Sequence, residues 1–224
     1  MNLLNPDIFN FLNELKNNNN REWFNSNKDR YLLIRESIKD FSNSIKNKID
    51  EFDDIDKVKI FRIYRDVRFS KDKTPYKKNF GISFHRKKPE LRGGYYVHIE
   101  ENKTFIACGF WNPNKDDLFR IRKEFQIDSL EFRKIINTEN FKKVWGALKG
   151  EELVTSPMGF SKDDPNIDLI RKKMYLFSIK YPNKEVLNTT FANKITTSFR
   201  SISPFFDYMS NVLTTDLNGE SILK

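Results

Sequence analysis

The stretch that decides the fold is Gly93–Trp111, which reads GGYYVHIEENKTFIACGFW. It holds two short runs, Gly94–Glu100 and Lys103–Trp111, in which apolar and polar residues alternate. Alternation with a period of two is typical of a strand that has one buried face. Glu101 and Asn102 separate the runs, and two residues are enough for a hairpin turn. The stretch therefore predicts the centre of an antiparallel sheet.

The period of two begins further upstream, near Val58, and returns over residues 79–84. In the first of these runs, the residues expected on the buried face are Phe61, Ile63, Val67 and Phe69. Those expected on the opposite face are Ile60, Arg62, Tyr64, Asp66 and Arg68. Arg65 is the exception, because it falls on the buried face. A buried charge costs several kcal/mol unless it is paired, so we expect a carboxylate or a bound anion beside Arg65.

Helical periodicity flanks the predicted sheet on both sides. One helix opens at Pro6 and Asp7, and a second carries an apolar stripe from Tyr31 to Ile49. Further helical patterns follow at residues 116–125, 129–136, 140–147, 167–180 and 191–213, the last interrupted near Pro204. The sequence predicts a single α+β domain over residues 1–224. Its parts are a helical part (1–51), a sheet with a basic motif (58–111) and a mainly helical part (116–213).

The composition of the chain favours some partners and excludes some kinds of site. The 224 residues carry a net charge of +9, which favours phosphate-bearing or polyanionic partners. The single cysteine, Cys108, excludes an intramolecular disulfide and a multi-cysteine metal site, and we expect it to be a small buried residue. The N-terminus does not resemble a signal peptide, and no run is long enough to cross a bilayer. We therefore expect a cytoplasmic protein without a membrane segment.

Much of the charge lies in one motif, RIYRDVRFSKDKTPYKKN at residues 62–79. The segment from Lys59 to Lys78 holds eight cationic and two anionic side chains, a local charge of +6. Asp66 can hold one flanking guanidinium while another keeps its donors for an outside oxyanion. The loop 70–74 offers hydroxyl and backbone N–H groups of the kind that bind phosphate. The alternative is that the Arg–Asp pairs only brace the fold, with solvated lysines around them.

This motif also resembles that of a known family. The order Arg-x-x-Arg-Asp-x-Arg-Phe and then Asp-Lys-x-x-Tyr is carried by Arg62, Arg65, Asp66, Arg68, Phe69, Asp72, Lys73 and Tyr76. It is similar to the signature of DUF2461, a bacterial and fungal family with no established activity. FLNELKNNNNREWFNSNKDRY, GGYYVHIE, GFWNP, LKGEELVTSPMGFSKDDP and KKMYL match the family pattern too. The resemblance covers nearly the whole chain and implies a functional centre at the motif, without naming a reaction.

The candidate site follows from the motif and the hairpin. The expected ligand-binding residues are Arg62, Tyr64, Arg65, Arg68, Lys73, Tyr76, Lys77, Tyr96 and Trp111. The candidates for proton transfer are Asp66 and His98. Alternation places His98 on one face with Tyr96 and Glu100, and a histidine beside a carboxylate can act as a general base. The alternative is a satisfied sheet histidine. We expect no metal, because the dense cations would compete with it for Asp66, Asp72 and Glu100.

Three functions fit these residues. The first is a pocket for a phosphorylated small molecule or nucleotide, with aromatic rings beside the cations. The second is a nucleic-acid-binding module, whose exposed basic surface would run on to Arg86, Lys87, Lys88 and Arg92. The third is a structural or partner-binding domain without a ligand. No hydrolase, NTPase or dehydrogenase signature appears. The sequence leaves enzymatic turnover, cofactor and oligomeric state open.

Overall fold

The computed structural model describes residues 4–223, and these form ten helices and five strands. The helices are α1 (Ile8–Asn17), α2 (Arg21–Ser26), α3 (Lys28–Ile49), α4 (Lys115–Ile127), α5 (Leu130–Asn137), α6 (Glu139–Trp145), α7 (Ile167–Ile170), α8 (Asn183–Val186), α9 (Phe191–Arg200) and α10 (Ser203–Thr214). The strands are β1 (Ile55–Ile60), β2 (Phe80–Arg86), β3 (Gly94–Ile99), β4 (Phe105–Phe110) and β5 (Tyr175–Lys180). The predicted α+β class is confirmed, as is the break between the last two helices.

The strands form one antiparallel sheet in the order β1-β2-β3-β4-β5. The predicted hairpin is its β3–β4 pair. The fifth strand corrects the prediction of a helix over residues 167–180, of which only Ile167–Ile170 is helical. Tyr175 and Phe177 are buried while the residues between and after them are half-buried, so the period there is two. The apolar residues that precede this strand masked that change of period.

A second correction concerns the basic motif, which is a loop and not a strand. Strand β1 ends at Ile60, and residues 61–79 keep only an isolated antiparallel bridge between Tyr64 and Tyr76. The loop folds back on itself, because the Arg65 N–H donates to the carbonyl of Pro75 at 2.9 Å. Phe69, which was expected to face the core, is 96% exposed at the far end.

The chain divides into two compact units, each assembled from three separate segments. Unit 1 comprises Met1–Phe84, Tyr96–Ile106 and Lys180–Thr197, and unit 2 comprises His85–Tyr95, Ala107–Ile179 and Ser198–Lys224. The segments of the two units alternate along the chain. The parts predicted from the sequence were contiguous, so they do not coincide with these units. The single domain over residues 1–224 stays a prediction.

Unit 1 has a core of helix stripes and aromatic rings. Its buried apolar residues from the first and third helices are Ile8, Phe9, Phe11, Leu12, Leu15, Tyr31, Ile34, Ile38, Phe41, Ile45 and Ile49, and the periodicity predicted all of them except Phe11. Phe24 links these helices to the basic loop. Its ring lies 5.1 Å from that of Tyr31 and stacks on that of Tyr76 at 4.0 Å. Fully burying such a side chain contributes about 1.5–3 kcal/mol, so the base of the loop belongs to the core.

Unit 2 has a core rich in phenylalanine. The Phe205 ring contacts those of Phe132 and Phe177 at 6.0 and 5.2 Å. Cys108 is buried as expected, and burial raises the pKa of its thiol well above the usual value. Gly109 has a φ of 132°, and a Cβ there would come 2.1 Å from the Tyr175 carbonyl oxygen. Only glycine permits this close approach of the backbones. No helix within residues 4–223 is long and apolar enough to cross a membrane.

Candidate functional site

The base of the basic loop is anchored through Tyr76. The Asn19 side-chain amide donates to the Tyr76 carbonyl, and the Tyr76 N–H donates to Asn19 Oδ1, both at 3.0 Å. The Tyr76 side chain is only 4% exposed. Sequence reasoning placed Tyr76 at the ligand and gave Asn19 no role of its own. The partners lie 57 positions apart, so no local pattern announces this pair.

Arg65 closes the loop from inside. Its guanidinium pairs with Asp72, donates to Thr74 Oγ1 at 2.7 Å, and reaches Ser70 Oγ at 3.3 Å. The hydrogen bond from Arg65, together with those from Thr74, holds the pKa of Asp72 well below its usual range. The carboxylate that we expected beside Arg65 is therefore Asp72. The loop hydroxyls that we expected to bind phosphate are turned to this guanidinium.

Arg68 and Asp66 form a second internal pair at the exposed end of the loop. The guanidinium donates to both carboxylate oxygens, at 3.0 and 2.6 Å, and the Arg68 N–H adds a third bond. These bonds lower the pKa of Asp66, with a smaller contribution from the charge of Arg62. Asp66 therefore serves Arg68, and the geometry gives no support to the predicted role in proton transfer. Lys73 Nζ donates to the Val67 carbonyl at 3.0 Å.

Three other cations gather at the base of the loop, and we name them the cation cluster: Lys59, Arg62 and Lys77. The two ammonium groups lie 4.9 and 5.6 Å from the centre of the Phe61 ring, where cation–π attraction holds them. Lys77 Nζ also donates to the Arg62 carbonyl at 2.9 Å. No carboxylate within residues 4–223 forms an ion pair with any of the three.

The crowding of the cluster changes the acidity of Lys77. Burial lowers the pKa of Lys77, and repulsion from Arg62, Lys59 and Arg65 lowers it further. Positive charge is thus concentrated on three side chains that form no ion pair with a carboxylate among residues 4–223; Lys59 and Arg62 are exposed, and Lys77 is half-buried. This property separates the cation cluster from the two internal Arg–Asp pairs.

Beside the cluster lies a row of polar side chains, two on strand β3 and one on the residue that follows it. The Tyr96 and Phe61 rings are in edge contact at 6.3 Å. Tyr96 Oη lies 3.2 Å from His98 Nδ1, and His98 Nε2 lies 3.0 Å from Glu100 Oε2. Phe105 stacks on the imidazole at 4.7 Å. Tyr96, His98 and Glu100 therefore share one face, as expected, and we call these three residues the relay.

A glycine makes room for the relay. Gly81 on β2 has no unusual backbone angle, but a Cβ there would come 2.6 Å from Tyr96 Oη. Any other residue would displace the tyrosine hydroxyl or be displaced by it. The alternation pattern could locate Tyr96, whereas the need for glycine opposite it depends on pairing between strands.

Unit 2 holds the remaining residues that the sequence singled out. Trp111 is 70% exposed there, and its place in the site stays a prediction. Arg86 is buried at 4% exposure and donates to the Arg92 carbonyl at 2.7 Å. Arg92 itself pairs with Asp117. The exposed basic surface that we expected through Arg86 and Arg92 is therefore wrong, because both guanidinium groups bond inside their own unit.

Unit 2 also has a groove of about 550 Å³ between α5, α6 and α7. Four of its five charged side chains are paired, because Arg133 bonds Asp168 at 2.6 Å and Lys172 bonds Glu152 at 2.7 Å, while Lys142 forms no ion pair among residues 4–223. Paired charges hold few donors for an outside anion. Across the described part of the chain, residues 4–223, no group of three histidine, cysteine or acidic side chains is arranged to hold a metal ion.

The comparisons with known proteins place the chain in a family. No curated protein and no solved structure matches it. The model of the family described as "Conserved hypothetical protein (DUF2461)" matches residues 7–208, a span that includes the loop, the cation cluster and the relay. The chain therefore belongs to the DUF2461 family.

Proposed function

We propose that the cation cluster binds the phosphate group of a phosphorylated small molecule, such as a nucleotide or a sugar phosphate. The observation that carries the proposal is the concentration of three cations without a carboxylate partner among the described residues. Burial and repulsion make the charge of Lys77 costly to the protein, and an anion that binds there relieves this cost.

The chemistry of the cluster suits phosphate. Arg62 offers a planar fork of N–H donors for two oxygens, and the two ammonium groups add compact charges. Phe61 and Tyr96 place aromatic surface next to these donors. An apolar wall beside convergent polar groups is typical of sites for small organic ligands. The rest of the ligand, a base or a sugar, would lie over these rings.

A nucleic-acid partner is the second candidate, and one observation favours it. Phe69 is 96% exposed beside Arg68 and Lys71, and Tyr64 is 48% exposed at the base of the loop. Exposed rings among cations suit stacking on the bases of a single strand. The burial of Arg86 removes the extended basic surface that this function would use, so we rank it second.

The test is a thermal-shift screen with inorganic phosphate, a nucleoside monophosphate, glucose 6-phosphate and a short single-stranded DNA. A ligand at 100 times its Kd adds about 2.7 kcal/mol, which moves the Tm of a chain of this size by roughly 5–10 °C. We expect such a shift with one phosphorylated small molecule and its loss in Arg62→Gln/Lys77→Gln. The charge-matched control Lys71→Gln/Lys73→Gln should keep it.

Two results would reject the proposal. The first is a shift that both double variants lose equally, which would show a general charge effect. The second is no shift with any small phosphate. A shift with DNA alone that falls steeply with salt would support the second candidate instead.

A further inference from the structure

We infer that Tyr96 is a nucleophile, activated by His98 and Glu100, and that it accepts a phosphoryl group from the ligand of the cation cluster. The inference rests on the proposed function for its substrate class. Its own basis is the relay: a hydroxyl, an imidazole and a carboxylate joined in sequence along β3 and the residue that follows it. The same order of groups activates nucleophiles in unrelated hydrolases.

The hydrogen bonds assign the role of each ring nitrogen. Glu100 accepts from Nε2–H of His98, so Nδ1 carries the lone pair that faces Tyr96 Oη. The Asn79 amide nitrogen lies 3.4 Å from the same Nδ1 and is also a donor. Both neighbours of Nδ1 are thus donors, which favours this tautomer. Lys103 lies 3.4 Å from Glu100 Oε1 and leaves the other oxygen to the imidazole.

Two further contacts fix the geometry. Stacking by Phe105 holds the plane of the imidazole, with an angle of 17° between the rings. Gly81 leaves the space in which the Tyr96 hydroxyl lies. Because His98 already bonds on both sides, it acts on a substrate through Tyr96, and Tyr96 is the catalytic residue.

Because of its environment, Tyr96 needs a base to remove its proton before it can act as a nucleophile. Burial raises the pKa of the Tyr96 hydroxyl, so the phenol keeps its proton in the resting protein. A phenol in that state becomes a nucleophile when an adjacent acceptor removes the proton, and Nδ1 of His98 is that acceptor. Positive charge from Lys59 and Lys77 lies across the Phe61 ring and favours an incoming phosphate.

The step is a transfer from a phosphate monoester to tyrosine. The bond between Tyr96 Oη and phosphorus forms, and the ester P–O bond breaks. The phenol proton moves to His98 Nδ1, the ester oxygen leaves opposite Tyr96 Oη and takes a proton from water to become the alcohol, and His98 returns its proton to the solvent. The products are O-phosphotyrosine and the alcohol, with no further reactant.

The first experiment tests activation without a phosphate. The protein is treated with a neutral aryl sulfonyl fluoride, and the labelled tyrosines are mapped by peptide mass spectrometry. The internal control is Tyr64, which is 48% exposed but bonds to no imidazole or carboxylate within residues 4–223. We expect Tyr96 to react faster than Tyr64. His98→Ala should slow Tyr96 by about 10²-fold or more and leave Tyr64 unchanged.

Chemical rescue separates proton transfer from a structural role. Imidazole added to His98→Ala should restore part of the reactivity of Tyr96, which a merely structural histidine would not permit. Gly81→Ala should slow the reaction by displacing the hydroxyl. Faster labelling of Tyr64 than of Tyr96, or a His98→Ala protein that labels at the wild-type rate, would overturn the activation of Tyr96.

The second experiment tests the phosphoryl group, with p-nitrophenyl phosphate as the donor. We expect a gain of one phosphoryl group on the peptide that contains Tyr96, absent in Tyr96→Phe. Phosphate binding is measured separately, as the rise in Tm that phosphorylated ligands cause in Tyr96→Phe, because this variant keeps the cation cluster. Phosphate binding without a phosphorylated Tyr96 overturns this inference and leaves the proposed function standing. No binding and no adduct overturns both.

Discussion

The two halves of the basic motif share a composition and differ in electrostatic state. In the far half, Asp72 and Asp66 each neutralise one arginine of the loop. At the base, Arg62 and Lys77 join Lys59 without a carboxylate partner among the described residues. The difference follows from where the two aspartates lie in the sequence. Cations within their reach build the loop, and cations beyond it remain available for an anion.

This contrast gives the acidic residues a specific role. They neutralise Arg65 and Arg68 and leave Lys59, Arg62 and Lys77 at the base of the loop without an ion pair among the described residues.

The largest effect concerns the aromatic anchor. Tyr76→Ala removes a ring that is 4% exposed and stacked at 4.0 Å on Phe24, so the free energy of unfolding should fall by about 3–5 kcal/mol. Urea unfolding followed by circular dichroism measures the change. Tyr64→Ala is the control, since that ring is half exposed. Equal losses in the two variants would show that Tyr76 does not anchor the loop.

A smaller effect separates the two internal ion pairs. Arg65→Ala removes bonds to Asp72, Thr74 and Ser70 from a side chain that is 23% exposed. Arg68→Ala removes a pair at 77% and 59% exposure, which solvent screens. We expect the midpoint of urea unfolding to fall more for Arg65→Ala. The reverse order would contradict the bracing role of Arg65.

The Arg65–Asp72 pair also predicts a pH dependence. The folded protein holds the pKa of Asp72 below the value of about 3.9 expected in the unfolded chain. The pair therefore stabilises fully above about pH 4, and its contribution is lost as the pH falls further. Urea unfolding of wild type and Asp72→Asn should differ at pH 7 and converge in acid. A constant difference would show that ionisation of Asp72 does not matter.

The smallest expected effect is the uptake of protons by Lys77 when a ligand binds. An anion beside Lys77 offsets the repulsion and burial that lower its pKa, so the pKa rises on binding. Binding of a phosphorylated ligand at alkaline pH should then take up protons. Calorimetry in buffers of different ionisation enthalpy measures the uptake. Lys77→Gln should abolish it, and an uptake that persists in this variant would place the titrating group elsewhere.

Local patterns predicted much of the fold. The amphipathic stripes of α1 and α3 and the alternation of β3 and β4 are repeated over enough residues to decide their structure. The strand β5 was missed because its six residues follow closely on the helical turn Ile167–Ile170, and the spacing of the apolar residues across both also fits a helix. The end of β1 at Ile60 was missed because apolar and polar residues go on alternating in the basic loop. That loop folds back through backbone hydrogen bonds such as the one from Arg65 to Pro75, which the alternation does not indicate.

The candidate site was predictable in composition and not in geometry. Alternation placed Tyr96, His98 and Glu100 together, because Tyr96 and His98 lie on β3 and Glu100 directly follows it. Which cations are neutralised could not be read from spacing: Arg65 bonds Asp72 seven positions away, while Arg62 is bonded by no carboxylate among residues 4–223. The hydrogen bonds between Asn19 and Tyr76, and the space beside Gly81 in which the Tyr96 hydroxyl lies, depend on contacts between segments that are separate in the sequence.

The most direct test of this account compares two arginines of the same motif. Isothermal titration with the best phosphorylated ligand from the screen would be run on wild type, Arg62→Ala and Arg68→Ala. Both variants lose one exposed guanidinium, but only the Arg68 guanidinium is held by a carboxylate. We expect Arg62→Ala to lose most of the affinity and Arg68→Ala to bind as wild type does. Equal losses, or a loss confined to Arg68→Ala, would contradict this expectation.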